Sequence, residues 1–241
     1  MNPATNEVSP PAVILVHGLW TGGWVMQGLR LRLSRLGYAP QTFTYASMLQ
    51  SLDEHARRLA ACIRLVRGPA IHLVGHSLGG LVILRYLRNH GEERIGRVVL
   101  MGTPVRACMS SRRMDKFAAG KRLLGASGDI WRSLPEVFRP RCELGVIAGS
   151  RPWGLGRMLM HLPGTNDGVV RLEETEVAGM RARIVLPLSH SGMLVSAHAA
   201  RAVADFLERG AFDQGDRGAF DHQHRGAHGR DGRGPAAREA K

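Results

Sequence analysis

Apolar residues follow two rhythms along this chain: short continuous runs, and longer stretches in which they recur every three or four positions. Continuous runs are typical of strands buried on both faces of a parallel sheet. They predict strands at residues 13–16, 71–74, 97–101, 144–148 and 183–188, and 41–45 is predicted as a further strand, so that six are expected. The spaced stretches predict helices between them, the last over 193–208 with Val195, Ala199, Ala202 and Phe206 facing inward. This alternation predicts an α/β fold, a mainly parallel six-stranded sheet with helices on both faces.

The same pattern divides the chain into one domain with additions. Residues 12–209 form the predicted domain, and 1–11 form an N-terminal extension. Within the domain, 105–142 contains a basic cluster and no clear strand, and we expect a short lid-like insertion there. The segment 210–241 repeats an Arg-Gly-Ala motif with a period of eight and is rich in Gly, Arg, Asp and His. Such a composition buries too little apolar surface to fold, so we expect a disordered tail.

Composition and charge narrow the class of protein. Hydrophobic residues make up 44% of the 241, and no apolar run is long enough to cross a bilayer. The formal net charge is +13, with 27 Lys and Arg against 15 Asp and Glu in residues 1–209. Because the excess is spread over many segments, it indicates a solvated basic surface and no specific nucleic-acid binding. Weak association with an anionic membrane surface is the other interpretation. Three scattered cysteines (Cys62, Cys108, Cys142) and no signal-peptide pattern predict a cytoplasmic protein.

A candidate nucleophile lies where the third predicted strand gives way to a helix. The motif Gly75-His76-Ser77-Leu78-Gly79 follows the apolar run 71–74 directly. Gly-x-Ser-x-Gly in a strand–turn–helix context lifts the serine hydroxyl clear of the sheet, and a side chain at either glycine would collide across so sharp a turn. The alternative is a glycine-rich turn without chemistry. We identify Ser77 as the candidate nucleophile.

A serine hydroxyl becomes a good nucleophile only when a base removes its proton and an acid orients that base. His190 is the candidate base because it lies in a loop just past the sixth predicted strand. Asp167, in the turn that follows the fifth strand through a long loop, is the candidate acid. The order serine, acid, histidine is one in which such triads occur. The competing acids Glu173, Glu174 and Glu176 are interpreted as a solvated acidic patch.

Stabilising the negative charge that develops during acyl transfer requires two backbone N–H groups. One is expected from Leu78, at the start of the helix after Ser77, where N–H groups have no helical partner. The other is expected from Leu19, in the loop after the first strand. These two residues form the predicted oxyanion hole.

Five motifs in this order resemble the α/β-hydrolase superfamily, specifically its bacterial lipase and esterase branch. They are Val-His-Gly-Leu-Trp at 16–20, Gly-His-Ser-Leu-Gly-Gly at 75–80, Gly-Thr-Pro at 102–104, Asn-Asp-Gly-Val-Val at 166–170 and Ser-His-Ser-Gly-Met at 189–193. The resemblance covers roughly residues 12–208. It implies the α/β-hydrolase fold and hydrolysis of carboxylic esters through an acyl-enzyme on Ser77. Where this branch often has His-x-Gly after Gly-Thr-Pro, Val105-Arg106-Ala107 stand here, so lid and substrate contacts are expected to differ.

The substrate is expected to be a small-molecule acyl ester or a lipid, with no metal and no organic cofactor. Trp20, Trp24 and Met193, with Trp153, are the predicted site walls, although both tryptophans near residue 20 would serve equally to pack helix against sheet. An acyltransferase, thioesterase or amidase with the same triad remains an alternative. A non-catalytic protein of this fold that binds anionic surfaces is a further one.

Overall fold

A computed structural model describes residues 10–91, 93–106, 140–153 and 162–213. Its strands are β1 (Ala12–Val16), β2 (Ala39–Phe43), β3 (Ile71–His76), β4 (Ile95–Met101), β5 (Glu143–Gly149) and β6 (Ala182–Leu186). Its α-helices are α1 (Gln27–Arg35), α2 (Leu52–Leu65), α3 (Leu78–His90) and α4 (Ala197–Arg209). The strands form one sheet in the order β2-β1-β3-β4-β5-β6, and every pair is parallel. The predicted α/β class with a six-stranded parallel sheet is confirmed.

Two apolar layers cover the two faces of this sheet. Helices α2 and α3 bury residues such as Leu59 and Leu81 against one face. Helices α1 and α4 bury residues such as Leu29 and Phe206 against the other. Gly145 leaves room for the Phe206 ring, because a Cβ added there would lie 2.7 Å from it. Because both faces are covered, the inner strands β1, β3, β4 and β5 are largely apolar and buried, as the sequence indicates, whereas the edge strand β2 is more polar.

The strand order places a crevice where ligands bind in folds of this kind. From β1 the chain passes outward to β2 and then returns to β3 on the other side of β1. In open parallel sheets, ligands bind beyond the carboxyl ends of the strands at such a reversal. The loops that follow β1 and β3 meet at this point, and they carry Leu19 and Ser77.

Some predicted boundaries differ from the observed ones. The second strand lies two residues earlier than predicted, because Tyr45 leaves the sheet and bonds through its N–H and its hydroxyl to His17. The last helix begins only at Ala197, with Ser196 as its N-cap. A separate 3-10 turn precedes it, so Val195 is 61% exposed and its predicted inward position is wrong.

The predicted acidic patch is also partly wrong. Glu174 is buried, because its carboxylate closes a 3-10 turn over Leu172–Thr175 by accepting the Arg171 N–H. Phe212, inside the predicted tail, is buried against Phe206 with ring centroids 5.0 Å apart. The rest of the tail, most of the lid-like insertion and most of the N-terminal extension lie outside the described residues. None of the described helices has both the length and the apolarity needed to cross a membrane.

Candidate active site

Ser77 occupies a strained turn between β3 and α3. Its φ of 53° and ψ of −122° are unusual for a residue with a side chain. The helix can begin this close to β1 only because Gly79 has no side chain, since a Cβ there would overlap the carbonyl oxygens of Val16 and His17. A Cβ on Gly75 would lie 2.6 Å from the Gly80 nitrogen. The predicted steric role of both glycines is confirmed.

Asp167 and His190 lie together although 23 positions separate them. His190 Nδ1 is 2.7 Å from Asp167 Oδ2, and both side chains are largely buried. The two backbones are joined as well, since His190 N–H donates to Asp167 O at 2.9 Å. The acid therefore fixes both the ring and the main chain of the candidate base.

The carboxylate of Asp167 has no freedom to turn away from His190. Its second oxygen, Oδ1, accepts the backbone N–H groups of Val169 and Val170 at 2.9 and 2.7 Å. Burial alone would raise the pKa of Asp167, but the charge of protonated His190, the hydrogen bond to it and the two backbone donors together hold that pKa below its ordinary value. The acid is thus built to stay ionised.

Gly102, at the end of β4, forms the floor beneath this pair. Its φ is +54°, and a Cβ there would lie 3.0 Å from both Asp167 Oδ2 and His190 Nδ1. The same Cβ would be 2.8 Å from Met193 Cε. Met193 is fully buried, so the structure places this predicted substrate contact in the packing beneath the site.

His76 connects the loop of His190 to the turn of Ser77. Its ring is buried next to Ser77 in the chain, and its Nε2 is 2.9 Å from His190 O. The rings of His76 and His190 are 4.6 Å apart between centroids. No hydrogen bond between Ser77 Oγ and His190 Nε2 is present among the described residues; catalytic hydrogen bonds are often long before substrate binds.

The loop after β1 is fixed through one carbonyl. Gly18 O accepts from His17 Nδ1 at 2.9 Å and from Thr21 Oγ1 at 3.1 Å. Because C=O and N–H point in opposite directions in a trans peptide, these donors also fix the direction of the Leu19 N–H. Gly18 packs against the nucleophile, since a Cβ on it would lie 3.2 Å from Ser77 Cβ. Leu78 is the first residue of α3, so its N–H is free of helical pairing.

Three tryptophans lie exposed at this end of the sheet. Trp20 is 51% exposed, and Trp24 and Trp153 are each 75% exposed. Trp20 and Trp24 follow β1, and Trp153 follows β5 with its backbone against Gly168, next to Asp167. The alternative that Trp20 and Trp24 pack helix against sheet is wrong, because a packing residue would be buried. We call these three residues the tryptophan rim.

Two other observations delimit the site. Within the described ranges, no group of three His, Cys, Asp or Glu residues is arranged to hold a metal ion. A groove of about 580 Å³ lined by Tyr38, His72 and Arg201 lies at the amino ends of the strands, away from Ser77. Because it contains none of the triad residues, we do not assign the chemistry to it.

Sequence reasoning missed the roles of His17, His76 and Gly102. His76 adjoins Ser77 and His17 lies two positions before Leu19, and a histidine at the end of an otherwise apolar strand is a signal that could have found them. The role of Gly102 depends on loops after β5 and β6, so no local pattern reveals it.

Comparison with known proteins places this geometry in a family. A 79-residue segment is 34% identical to the carbendazim hydrolyzing esterase of Nocardioides sp. (strain SG-4G), and the match spans 29% of this chain and 33% of that protein. Among solved structures, Bacillus licheniformis lipase BlEst2 in its mature form superposes with a TM-score of 0.69 at 17% identity, over 84% of this chain and 92% of the lipase. An esterase from Exiguobacterium antarcticum gives 0.58 at 15%, over 83% and 92%. The sequence profile of the alpha/beta hydrolase family matches residues 13–238, and the chain belongs to that family.

Proposed function

We propose that this protein is a serine hydrolase that cleaves carboxylic esters through an acyl-enzyme on Ser77. The observation that carries the proposal is the buried His190–Asp167 pair, joined at 2.7 Å and packed through His76 against the strained turn that presents Ser77. A turn with a purely structural role would not need a serine in an unfavourable backbone conformation beside a buried histidine that is bonded to an ionised carboxylate.

In the proposed reaction, His190 Nε2 takes the proton of Ser77 as Oγ attacks the ester carbonyl carbon. The carbonyl oxygen becomes an oxyanion that the N–H groups of Leu19 and Leu78 stabilise. Collapse breaks the bond to the alkoxy oxygen, which receives the proton from His190 and leaves as the alcohol. Water then attacks the acyl-enzyme by the same route, so that carboxylic acid and free Ser77 result.

Several contacts support these roles. The short hydrogen bond to Asp167 uses Nδ1 of His190, so Nε2 is the nitrogen left for the proton transfer. The ionised acid stabilises the imidazolium that forms in each half of the reaction. The local similarity to a carbendazim hydrolyzing esterase favours ester substrates over other acyl compounds.

A fluorophosphonate probe tests the nucleophile. We expect the wild-type protein to be labelled once, and Ser77→Ala to abolish labelling and to reduce p-nitrophenyl butyrate hydrolysis by about 10,000-fold or more. Ser34→Ala, at an exposed serine of α1, is the matched control and should be labelled like the wild type. Labelling that persists in Ser77→Ala would overturn the assignment.

A second experiment tests which bond is cleaved and whether water or an alcohol accepts the acyl group. A panel of p-nitrophenyl esters, thioesters and anilides with equal acyl chains compares esterase, thioesterase and amidase activity, and added alcohols reveal acyl transfer. We expect the esters to give the highest kcat/KM. A thioester or anilide rate above the ester rate would replace the proposed substrate class while keeping Ser77.

We also propose that the tryptophan rim contacts the acyl part of lipid-like substrates and associates weakly with anionic membranes. Exposed indole rings partition to membrane interfaces, and a net charge of +13 favours anionic ones. Co-sedimentation with phosphatidylglycerol vesicles should exceed that with phosphatidylcholine vesicles and should weaken with salt. Weaker binding of the Trp24→Ala/Trp153→Ala double variant to both kinds of vesicle supports the rim, whereas equal binding of the wild type to both vesicles contradicts the proposal.

A further inference from the structure

His76 is a buried titratable side chain to which the proposed reaction gives no task. It touches three parts of the site at once. It precedes Ser77 in the chain, its Nε2 bonds to the backbone of His190, and its Nδ1 would be 3.4 Å from a Cβ on Gly18. A single ring therefore joins the nucleophile's turn, the loop of the base and the loop of Leu19.

The direction of the hydrogen bond follows from its acceptor. A carbonyl oxygen only accepts, so His76 Nε2 carries the proton and donates it to His190 O. The residue His190 is then held at three points. Asp167 fixes its N–H and its Nδ1, and His76 fixes its carbonyl from the opposite side of the same peptide segment.

We propose that His76 is a positioning residue that holds the backbone of His190 so that Nε2 of that ring faces Ser77. The inference rests on the proposed serine-hydrolase function. Without the donor at position 76, His190 itself would keep only its hydrogen bonds to Asp167, and its peptide carbonyl could rotate away from the turn of Ser77. A shift of about 1 Å in a reacting group can reduce turnover by about 100-fold.

A histidine suits this position because it stays uncharged there. Burial, with the nearby charge of His190, lowers the pKa of His76 to about 3. The ring consequently donates one proton at Nε2 without adding a positive charge 4.6 Å from the ring that becomes an imidazolium during the reaction. Asp167 and His17 are the other titratable groups near His76, and the carboxylate of Asp167 is bonded to His190 Nδ1.

Substitutions that keep or remove the donor test this role. His76→Gln retains an N–H near the position of Nε2, and His76→Met fills similar volume without a donor. We expect His76→Met to lose about 10- to 100-fold in kcat on p-nitrophenyl butyrate with little change in KM, and His76→Gln to recover most of that loss. His72→Met is the matched control, because His72 is a histidine of the same strand that bonds to Arg97 at the opposite end, and its kcat should stay at the wild-type value.

A second readout separates this inference from the proposed function. The Nδ1 proton of His190, bonded to Asp167, gives a downfield NMR resonance that does not depend on catalysis. We expect this resonance to shift or broaden in His76→Met and to persist in His76→Gln, with thermal unfolding followed for all variants. Unchanged kcat and resonance in a folded His76→Met, or equal losses in folded His76→Met and His76→Gln, would overturn the inference. A wild type that is not labelled by fluorophosphonate, with the resonance responding as expected, would instead refute the hydrolase mechanism.

Discussion

The two ends of the sheet are held by different means. At the carboxyl ends, neutral rings and backbone groups meet in buried contacts around Ser77, Asp167 and His190, and Gly102 and Gly79 allow the close packing. At the amino ends, arginines reach helix termini. Arg97 donates to the carbonyls of Leu207 and Glu208, the last turn of α4, and pairs with Glu143.

A second arginine at the amino ends of the strands bonds to helix carbonyls in the same way. Arg94 donates to the carbonyl oxygens of Ile63, Val66 and Gly68, which end α2. Carbonyls at helix C-termini lack helical partners and carry partial negative charge, so a guanidinium there both satisfies and neutralises them. The comparison shows that contacts at the carboxyl ends fix the positions of the candidate site residues, whereas those at the amino ends attach the helices to the sheet. Substitutions should accordingly separate activity from stability.

Replacing the acid gives the largest expected effect. Asp167→Asn keeps the shape but removes the charge that orients and stabilises the protonated base, so kcat should fall about 10,000-fold with little change in the unfolding midpoint. Glu143→Gln, a carboxylate at the arginine end, should leave kcat at the wild-type value. Steady-state kinetics on p-nitrophenyl esters measure both, and a wild-type rate in Asp167→Asn would contradict the role of this acid.

Lowering the pH should destabilise the folded protein, because several histidines are buried near the carboxyl ends of the strands. Burial lowers the pKa of His17, and it lowers those of His55 and His76 to about 4 and about 3. Below about pH 6.5 these histidines are protonated in the unfolded chain but remain neutral in the folded protein. The free energy of unfolding therefore falls as the pH falls, by up to about 1.4 kcal/mol per pH unit for each histidine.

The loss should begin near pH 6.5 and continue to about pH 4, where His55 protonates in the folded protein as well. Urea unfolding across this range measures it, and His55→Phe should reduce the slope. Leu65→Gln, at an exposed residue of the same helix, should leave the slope as it is. An unfolding midpoint independent of pH over this range would contradict the prediction.

At the opposite end, Arg97→Met should lower the free energy of unfolding by about 1–3 kcal/mol, because two helix carbonyls and Glu143 lose a charged donor. The kcat of the folded molecules should not change. Arg209→Met is the control, since the exposed pair of Arg209 with Asp205 on the same helix contributes less than about 1 kcal/mol. Equal unfolding midpoints for the two variants in urea would show that the bonds from Arg97 to the end of α4 contribute little to stability.

The smallest expected effect concerns strain at the nucleophile. Ser77→Gly relieves the unfavourable backbone conformation, whereas Ser77→Ala keeps its Cβ and the strain. The glycine variant should be more stable than the alanine variant by about 1 kcal/mol, and both should be inactive. Parallel urea titrations measure the difference, and a less stable glycine variant would show that the turn is not strained.

The features that could be predicted from the sequence are those determined by residues close together in the chain. Buried parallel strands and the glycines around Ser77 leave their pattern within a few residues, so the fold class and the steric need for Gly75 and Gly79 were readable. The pairing of Asp167 with His190 was proposed from chain order, and the structure brings these two side chains together. Their catalytic roles stay predictions.

Contacts between distant segments account for what could not be predicted. The bond from His76 to His190 O joins residues 114 positions apart, and the space that Gly102 leaves is set by loops after β5 and β6. The exposure of Val195 depends on Ser196 capping α4, so that the helix begins at Ala197, four residues later than the apolar pattern predicts.

The absence of side chains at Gly18, Gly75 and Gly79 has a consequence for directed evolution of this protein. Libraries that randomise these positions should yield almost only dead clones, because each added atom meets main chain or the nucleophile itself. Trp24 and Trp153 are each 75% exposed and meet no such restriction, whereas Trp20 is 51% exposed and has a φ of 58° that narrows the choice of substitutes. New substrate preferences should therefore be sought by diversifying the tryptophan rim while the floor of the site is left intact.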